Sequence, residues 1–166
     1  MIWKLIMNKA LSQSLEDYLE AIYIIGLNNK VVRVKEVAGF LDVSTPSVVD
    51  AISKLTENGL VNHEKYGYME LSIKGNKIAR KINLKHEKIY KFFKDILIVS
   101  DEVSKKDACK MEHYISKETM DNMIGFIKFI ESCPGGYPEW LKHFKYFLKH
   151  GKRPEECLKN NLLEHK

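Results

Sequence analysis

From Leu15 onward the apolar positions fall in a helical rhythm. Leu15, Tyr18, Leu19, Ile22 and Tyr23 occupy i, i+3, i+4, i+7 and i+8, the buried stripe of a helix over Ser14 to Ile25. Ser12 or Ser14 can cap it, and Gly26 with the Asn28-Asn29 pair is expected to break it. Two short helices follow. Lys35 to Leu41 buries Val37, Ala38 and Leu41, and after the turn Asp42-Val43-Ser44 a second helix spans Thr45 to Thr56. Ser44 is its natural N-cap, and Pro46 sits in the first turn, where a missing N–H removes no helix bond. Val48, Ile52 and Leu55 point inward, which leaves Ser47, Asp50, Ala51, Ser53 and Lys54 outside. Leu60 to Ser72 then reads as a β-hairpin turning near Lys65-Tyr66-Gly67-Tyr68. Helix-turn-helix followed by a hairpin is the winged-helix arrangement.

The pattern becomes helical again from Ile73 to about Ile98, with Ile78, Ile82, Ile89 and Phe92/Phe93 on one side. Ser100-Asp101-Glu102 reads as an acidic, polar break. A helix near Lys105 to Ile115 and another over Lys117 to Ile130 follow, the latter with Met120, Met123, Ile124, Ile127 and Ile130 along one face. Cys133-Pro134-Gly135-Gly136 interrupts the chain, and one or two short helices are expected over Pro138 to Leu163. The fold class is therefore mainly α with a small β-hairpin wing.

The Cys109-Lys110-Met111-Glu112-His113 run introduces chemistry. On a helix, Cys109, Glu112 and His113 lie at i, i+3 and i+4, offering a thiolate, a carboxylate and an imidazole to one point. That donor mix suits Fe, Mn, Co or Zn better than Ca or Mg. Met111 falls on another face and is assigned to core packing. Asp17, Glu20 and His86 supply further ligand-type side chains. On the Thr45–Thr56 helix, Ser47, Asp50 and Ala51 are candidates for base edges. Thr45 and Lys54 are placed nearer to phosphates, as are Lys65 or Tyr66 in the hairpin turn, and Ser44 is a further contact.

Charge supports this division. Residues 1–100 hold 15 Lys/Arg against 11 Asp/Glu, whereas residues 101–166 hold 12 against 11, so the basic surplus lies in the winged half. The three cysteines, odd in number and widely spaced, fit a reducing compartment. No run approaches the roughly 20 apolar residues of a membrane span, and Met1 to Leu11 lacks the features of a signal peptide. A cytoplasmic protein is expected. Cys133 and Cys157 bracket His143 and His150, which leaves a second metal site, a redox pair and ordinary buried thiols all open.

Taken together, the segments carry a family resemblance. Asp17-Tyr18-Leu19-Glu20-Ala21-Ile22-Tyr23, then Val48-Val49-Asp50-Ala51-Ile52-Ser53-Lys54-Leu55, then Lys85-His86-Glu87, then Ala108-Cys109-Lys110-Met111-Glu112-His113 appear in one order and spacing. This resembles the metal-dependent repressors of the diphtheria toxin repressor and manganese transport regulator family over roughly residues 12 to 130. The resemblance implies a winged helix-turn-helix DNA-binding domain over 1–72, a linker helix over 73–99, and an all-α metal-binding and dimerisation domain with a C-terminal extension over 100–166. It implies the metal ligands Asp17, Glu20, His86, Cys109, Glu112 and His113, with Mn2+ or Fe2+ as co-repressor and Co2+, Ni2+ or Zn2+ able to substitute in vitro. It also implies a homodimer on a palindromic operator in double-stranded DNA near metal-uptake genes.

Two departures matter. Asp17 with Glu20 resembles the manganese-type branch, and Cys109 the iron-type branch, so the metal stays open. The iron-type ancillary site, built on a linker-helix His, a Glu four residues later and a His four residues before the Cys, finds here His86, Tyr90 and Lys105. The last two cannot replace a carboxylate and an imidazole, so His86 is expected to join Glu20 and Glu112. With 36 residues after Ile130, the two-domain plan is expected rather than one with an added β-barrel.

A different class of regulator, a winged helix sensing a small organic ligand or thiol oxidation, would also explain the DNA-binding half. It leaves the six ligand-type residues accidental. A metalloenzyme is disfavoured, because no HExxH helix, glycine-rich phosphate loop or nucleophile elbow accompanies the cluster.

Overall fold

A computed structural model describes residues 11–29, 31–63 and 68–160, and the chain divides into two compact units, 1–85 and 86–166. In the first unit, α1 (Gln13–Asn28) is capped by Ser12, whose hydroxyl accepts from the Leu15 N–H. It continues three residues past the expected stop. One Gly inside a helix costs only about 1 kcal/mol, so Gly26 does not end it.

A strand that periodicity missed follows: β1 (Val32–Arg33), two residues long. The Arg33 N–H donates to Glu36 Oε2 at 2.7 Å and starts α2 (Val34–Leu41), which ends at Asp42 in the left-handed region (φ 53°). Ser44 then caps α3 (Thr45–Glu57). Gly59, with φ 66°, turns the chain into β2 (Val61–His63), which pairs with β3 (Tyr68–Leu71) in the register Val61↔Leu71 and Asn62↔Glu70. β1 also pairs with β3, giving an antiparallel sheet of order β1-β3-β2. The wing is thus anchored on the helical core by a third strand.

That core gathers Leu19 and Ile22 from α1, Val37 from α2, and Val48, Ile52 and Leu55 from α3 with Val61 and Met69 from the sheet. Each fully buried aliphatic side chain contributes roughly 1.5–3 kcal/mol. Ser72 joins the sheet to α4 (Ile73–Lys91). Its hydroxyl donates to the Gly59 carbonyl at 2.8 Å and accepts from the Gly75 N–H at 2.9 Å.

The boundary between units falls inside α4. This helix does not run regularly to Ile98. It opens at Phe92–Ile96 into a wider π turn, with the Leu97 N–H donating to the Phe92 carbonyl, and Ile98 takes φ 61°. A β-branched residue in that region carries backbone strain.

The second unit continues with α5 (Asp101–Met111), α6 (Lys117–Glu131), α7 (Glu139–His150) and α8 (Glu155–Asn160). Ser100-Asp101-Glu102, read above as a break, is instead the N-cap position and first turn of α5, where carboxylates meet the positive end of the helix dipole. Two small cores hold the unit together. Ile89, Ala108 and Met120 form one, and Ile96, Ile127, Ile130 and Leu141 the other. Much of the expected apolar face of α6 is therefore spent inside its own unit. Phe126 and Phe129 are the large apolar side chains of α6 that stay exposed. No helix among the described residues is long and apolar enough to cross a membrane.

Candidate metal centre and nucleic-acid interface

In the first unit, Asp17 and Glu20 stand one turn apart on α1, Asp17 half-buried and Glu20 buried. The second unit supplies the other candidate ligands. His86 lies on α4, and Cys109 in the last turn of α5, with its thiol exposed and in no disulfide. The helix stops at Met111, so Glu112 is its C-cap and His113 lies beyond it. Glu112 nevertheless keeps helical dihedrals (φ −57°, ψ −27°) and donates its N–H to the Ala108 carbonyl, so Cys109 and Glu112 share a face as their i, i+3 spacing implied, with Sγ and a carboxylate oxygen within 4.8 Å of each other. Glu112 is buried there, while Cys109 is exposed. Met111, on another face, is exposed rather than part of the core.

A compact arrangement surrounds one carboxylate. Glu112 is 1% exposed. His86 Nδ1 lies 3.0 Å from its Oε2, and His113 Nε2 lies 3.4 Å from its Oε1. An ionised carboxylate out of water needs compensating positive charge or hydrogen bonds. His86 is a hydrogen-bonding partner for Oε2, the His113 imidazole stands beside Oε1, and each imidazole can release a proton to become a neutral metal ligand. The donor set of carboxylate, imidazole and thiolate fits a first-row divalent ion.

The positions where an iron-type ancillary site would fall hold a different structure. Tyr90 donates its hydroxyl to Asp101 Oδ1 at 2.6 Å, and Asp101 takes salt bridges from Lys94 at 2.6 Å and Lys105 at 2.7 Å. Hydrogen bonds from Lys105, then Lys94 and Tyr90, hold the Asp101 carboxyl well below the usual carboxylate range. Two ammonium groups supply the positive charge there.

On the DNA-binding side, Ser44, Thr45, Ser47, Asp50 and Lys54 are exposed along α3 as expected. Two details refine their roles. Ser44 Oγ lies 2.8 Å from Ser47 Oγ and accepts from the Ser47 N–H, so Ser44 serves the helix cap. Asp50 accepts from Lys54 Nζ at 2.6 Å, and this hydrogen bond and charge hold the ammonium above its ordinary value. The carboxylate therefore tempers the lysine's attraction for phosphate.

Ala51 is a correction. It is 4% exposed, packed in the core beside Val48 and Ile52, because its position on the helix falls on the inward stripe. Val49, 50% exposed, takes its place as the apolar group on the outer face, suited to a thymine methyl. The hydrophobic periodicity assigned it to neither side of the helix. Lys65 and Tyr66 lie outside the described residues. Cys133 donates weakly to the Phe129 carbonyl at 3.5 Å, and both it and Cys157 are free thiols.

Comparison with known proteins agrees with this division. Residues 10–69 match the family model for the iron dependent repressor N-terminal DNA binding domain, and residues 72–141 that for the iron dependent repressor metal binding and dimerisation domain. An uncharacterized HTH-type transcriptional regulator of Methanocaldococcus jannaschii is 36% identical over 119 residues, covering 71% of this chain and 95% of that protein. The HTH-type transcriptional regulator MntR of Shouchella clausii is 33% identical over 118 residues, covering 71% and 82%. Among solved structures, the metal-dependent transcriptional regulator MtsR superposes with a TM-score of 0.65 at 28% identity. That match covers 79% of this chain and 62% of that one. The manganese regulator SloR gives 0.63 at 28% identity, covering 75% and 59%. The chain thus spans about three fifths of those two solved proteins. The chain belongs to the iron-dependent repressor family, the group of the diphtheria toxin repressor and manganese transport regulator, and is a metal-dependent DNA-binding transcriptional regulator rather than an enzyme.

Proposed function

We propose that Asp17, Glu20, His86, Cys109, Glu112 and His113 hold Mn2+ or Fe2+, and that the metal-loaded homodimer represses metal-uptake genes at a palindromic operator. The observation that carries this reading is Glu112, buried with an imidazole at each oxygen. When bound, a divalent ion supplies the two positive charges that neutralise such a carboxylate. The chain's own part is to orient donors. His86 is held on α4, and Glu112 and His113 are fixed by the end of α5. The relatives named above point the same way, since SloR is a manganese regulator and MtsR a metal-dependent transcriptional regulator.

The regulatory logic is linkage. Asp17 and Glu20 belong to one unit and the remaining four ligands to the other. An ion held by both sets stabilises one arrangement of the units over others, and DNA that selects that arrangement binds metal-loaded protein more tightly. Dimerisation through the second unit is supported by the description of the matched domain and by the exposed apolar Phe126 and Phe129. A C2 pair would present two α3 helices to successive major grooves.

Counting bound Mn(II) by its paramagnetic resonance signal tests the ligand set. Glu20→Gln and Glu112→Gln are each expected to lose high-affinity Mn(II). If the double variant Asp17→Asn with Glu20→Gln retained wild-type binding, the site would be confined to the second unit and the linkage would have no ligand on α1. Tight zinc binding would decide nothing, since zinc exceeds manganese and iron in affinity at most such sites.

A further inference from the structure

The end of the chain builds a pocket that metal sensing does not use. Leu141, 2% exposed, packs α7 against Ile96, Ile127 and Ile130 and so fixes the rotation of that helix. Trp140, His143, Phe144 and Phe147, spaced i, i+3, i+4 and i+7, then share an adjoining face. α7 ends at Gly151, whose φ of 68° is the left-handed cap that glycine takes without strain. Its N–H donates to the Phe147 carbonyl at 2.8 Å. The chain turns back there, and Arg153 and Cys157 complete a cavity of about 430 Å³ with the four α7 residues. Of the six lining residues, only Trp140 falls within the matched metal-binding and dimerisation domain.

The lining sets the ligand's chemistry. Trp140, Phe144 and Phe147 offer an apolar wall of rings. Arg153 makes no ion pair or hydrogen bond among the described residues, and Lys142, Lys145, Lys149 and Lys152 surround the site in sequence. Among the described residues no carboxylate lines the cavity; the acids nearest in sequence, Glu139 in the first turn of α7 and Glu155 and Glu156 in that of α8, are exposed. His143 and Cys157 are only two metal donors, one or two short of a closed site. A pocket of this size, mostly apolar with one convergent cation, is of the kind that takes a small organic ligand.

We propose that this pocket binds a small amphipathic organic anion, its carboxylate or comparable singly charged head on Arg153 and its apolar body against Trp140, Phe144 and Phe147. The site is independent of the metal ligands and goes beyond the function proposed above.

Calorimetric titration of the full-length, Mn(II)-loaded protein with decanoate and with decanol tests it. Decanoate is expected to bind saturably, one per chain, and at least about tenfold more tightly than decanol, the factor that a charge-assisted hydrogen bond supplies. Arg153→Gln should remove that difference while leaving decanol binding unchanged, and Trp140→Ala should weaken both. Should Trp140→Ala fail to fold by circular dichroism, the Arg153→Gln comparison decides alone, since that side chain is exposed. Equal affinity for the acid and the alcohol, an unchanged Arg153→Gln variant, or no saturable binding below the micellar concentration would each overturn the proposal. Binding to anionic phosphatidylglycerol vesicles but not to monomeric decanoate would assign the face to membrane surfaces instead. Decanoate blocked only by self-association at higher protein concentration would assign it to a second copy.

Discussion

His86 on α4 and Glu112 at the end of α5 meet with Nδ1 3.0 Å from Oε2. They are 26 residues apart in sequence and share no secondary element. Glu112, the C-cap of α5, keeps helical dihedrals (φ −57°, ψ −27°) and is buried where the two meet. The exposed thiol of Cys109, three residues earlier, stays on the helix surface. A buried carboxylate with two nearby imidazoles and an accessible soft donor therefore gather at the last turn of one helix.

Cys109 is the ligand candidate on which metal selectivity is expected to turn. A thiolate favours softer ions than a carboxylate and is open to oxidation. Wild-type protein should respond to Fe(II) as well as Mn(II), and Cys109→Glu should shift the anaerobic DNA-binding response toward Mn(II) and abolish any loss of binding after peroxide. Superimposable activation curves for both proteins with both metals would show that this side chain does not tune the response.

Gly75 locks α4 to the base of the wing. A β-carbon at that position would fall 1.9 Å from the Leu60 carbonyl oxygen, a backbone atom that cannot swing away. Gly75→Ala, ordinarily favourable inside a helix, is expected to destabilise the first unit by about 3 kcal/mol. Urea unfolding read by circular dichroism measures it; a stabilised variant would show that α4 docks differently.

Much of this was legible in the sequence. The helices of the first unit and the wing follow from periodicity and from Ser12, Ser44, Pro46 and Gly59, each of which acts locally. The second unit was harder for equally physical reasons. Ser100-Asp101-Glu102 has the composition of a loop as well as of a helix start. The π turn at Phe92–Ile96 has no period of its own. The two-residue β1 is too short to show alternation, and Ala51 is small enough to suit either side of α3. The candidate ligands were visible as residue types, and the i, i+3 spacing of Cys109 and Glu112 does bring their donors together, but it carried no sign that the carboxylate is buried and the thiol exposed.

Asp50 restrains Lys54 on the outer face of α3. Asp50→Asn should release that ammonium toward phosphate. Affinity for an unrelated duplex should rise, and the dependence of log K on log salt should steepen by up to about 0.9, the value of one further phosphate contact. Unchanged affinity and slope across a salt series would mean that Lys54 does not approach DNA.

The Asp101 cluster predicts a pH signature. Its carboxyl is held below the ordinary value of 3.8 by Lys105, Lys94 and Tyr90. A depressed folded-state value means that its contribution is present above the unfolded value and is lost as acid protonates the folded carboxylate. Thermal unfolding of Asp101→Asn should therefore trail wild type by a constant, small, salt-sensitive margin from pH 7 to about pH 5, and the gap should close toward pH 2. A gap that widened in acid would contradict the cluster's role.

The most direct test of metal-controlled DNA binding is fluorescence anisotropy on a labelled duplex selected from a random-sequence pool by the Mn(II)-loaded protein. Wild-type protein should bind it roughly 5- to 150-fold more tightly with Mn(II) than after chelation by EDTA, the range of ordinary allosteric coupling. Restored Mn(II) should recover the binding, and Glu112→Gln should stay at the chelated level throughout. Operator affinity that is unchanged by EDTA, or a Glu112→Gln protein that responds to Mn(II) like wild type, would contradict the account.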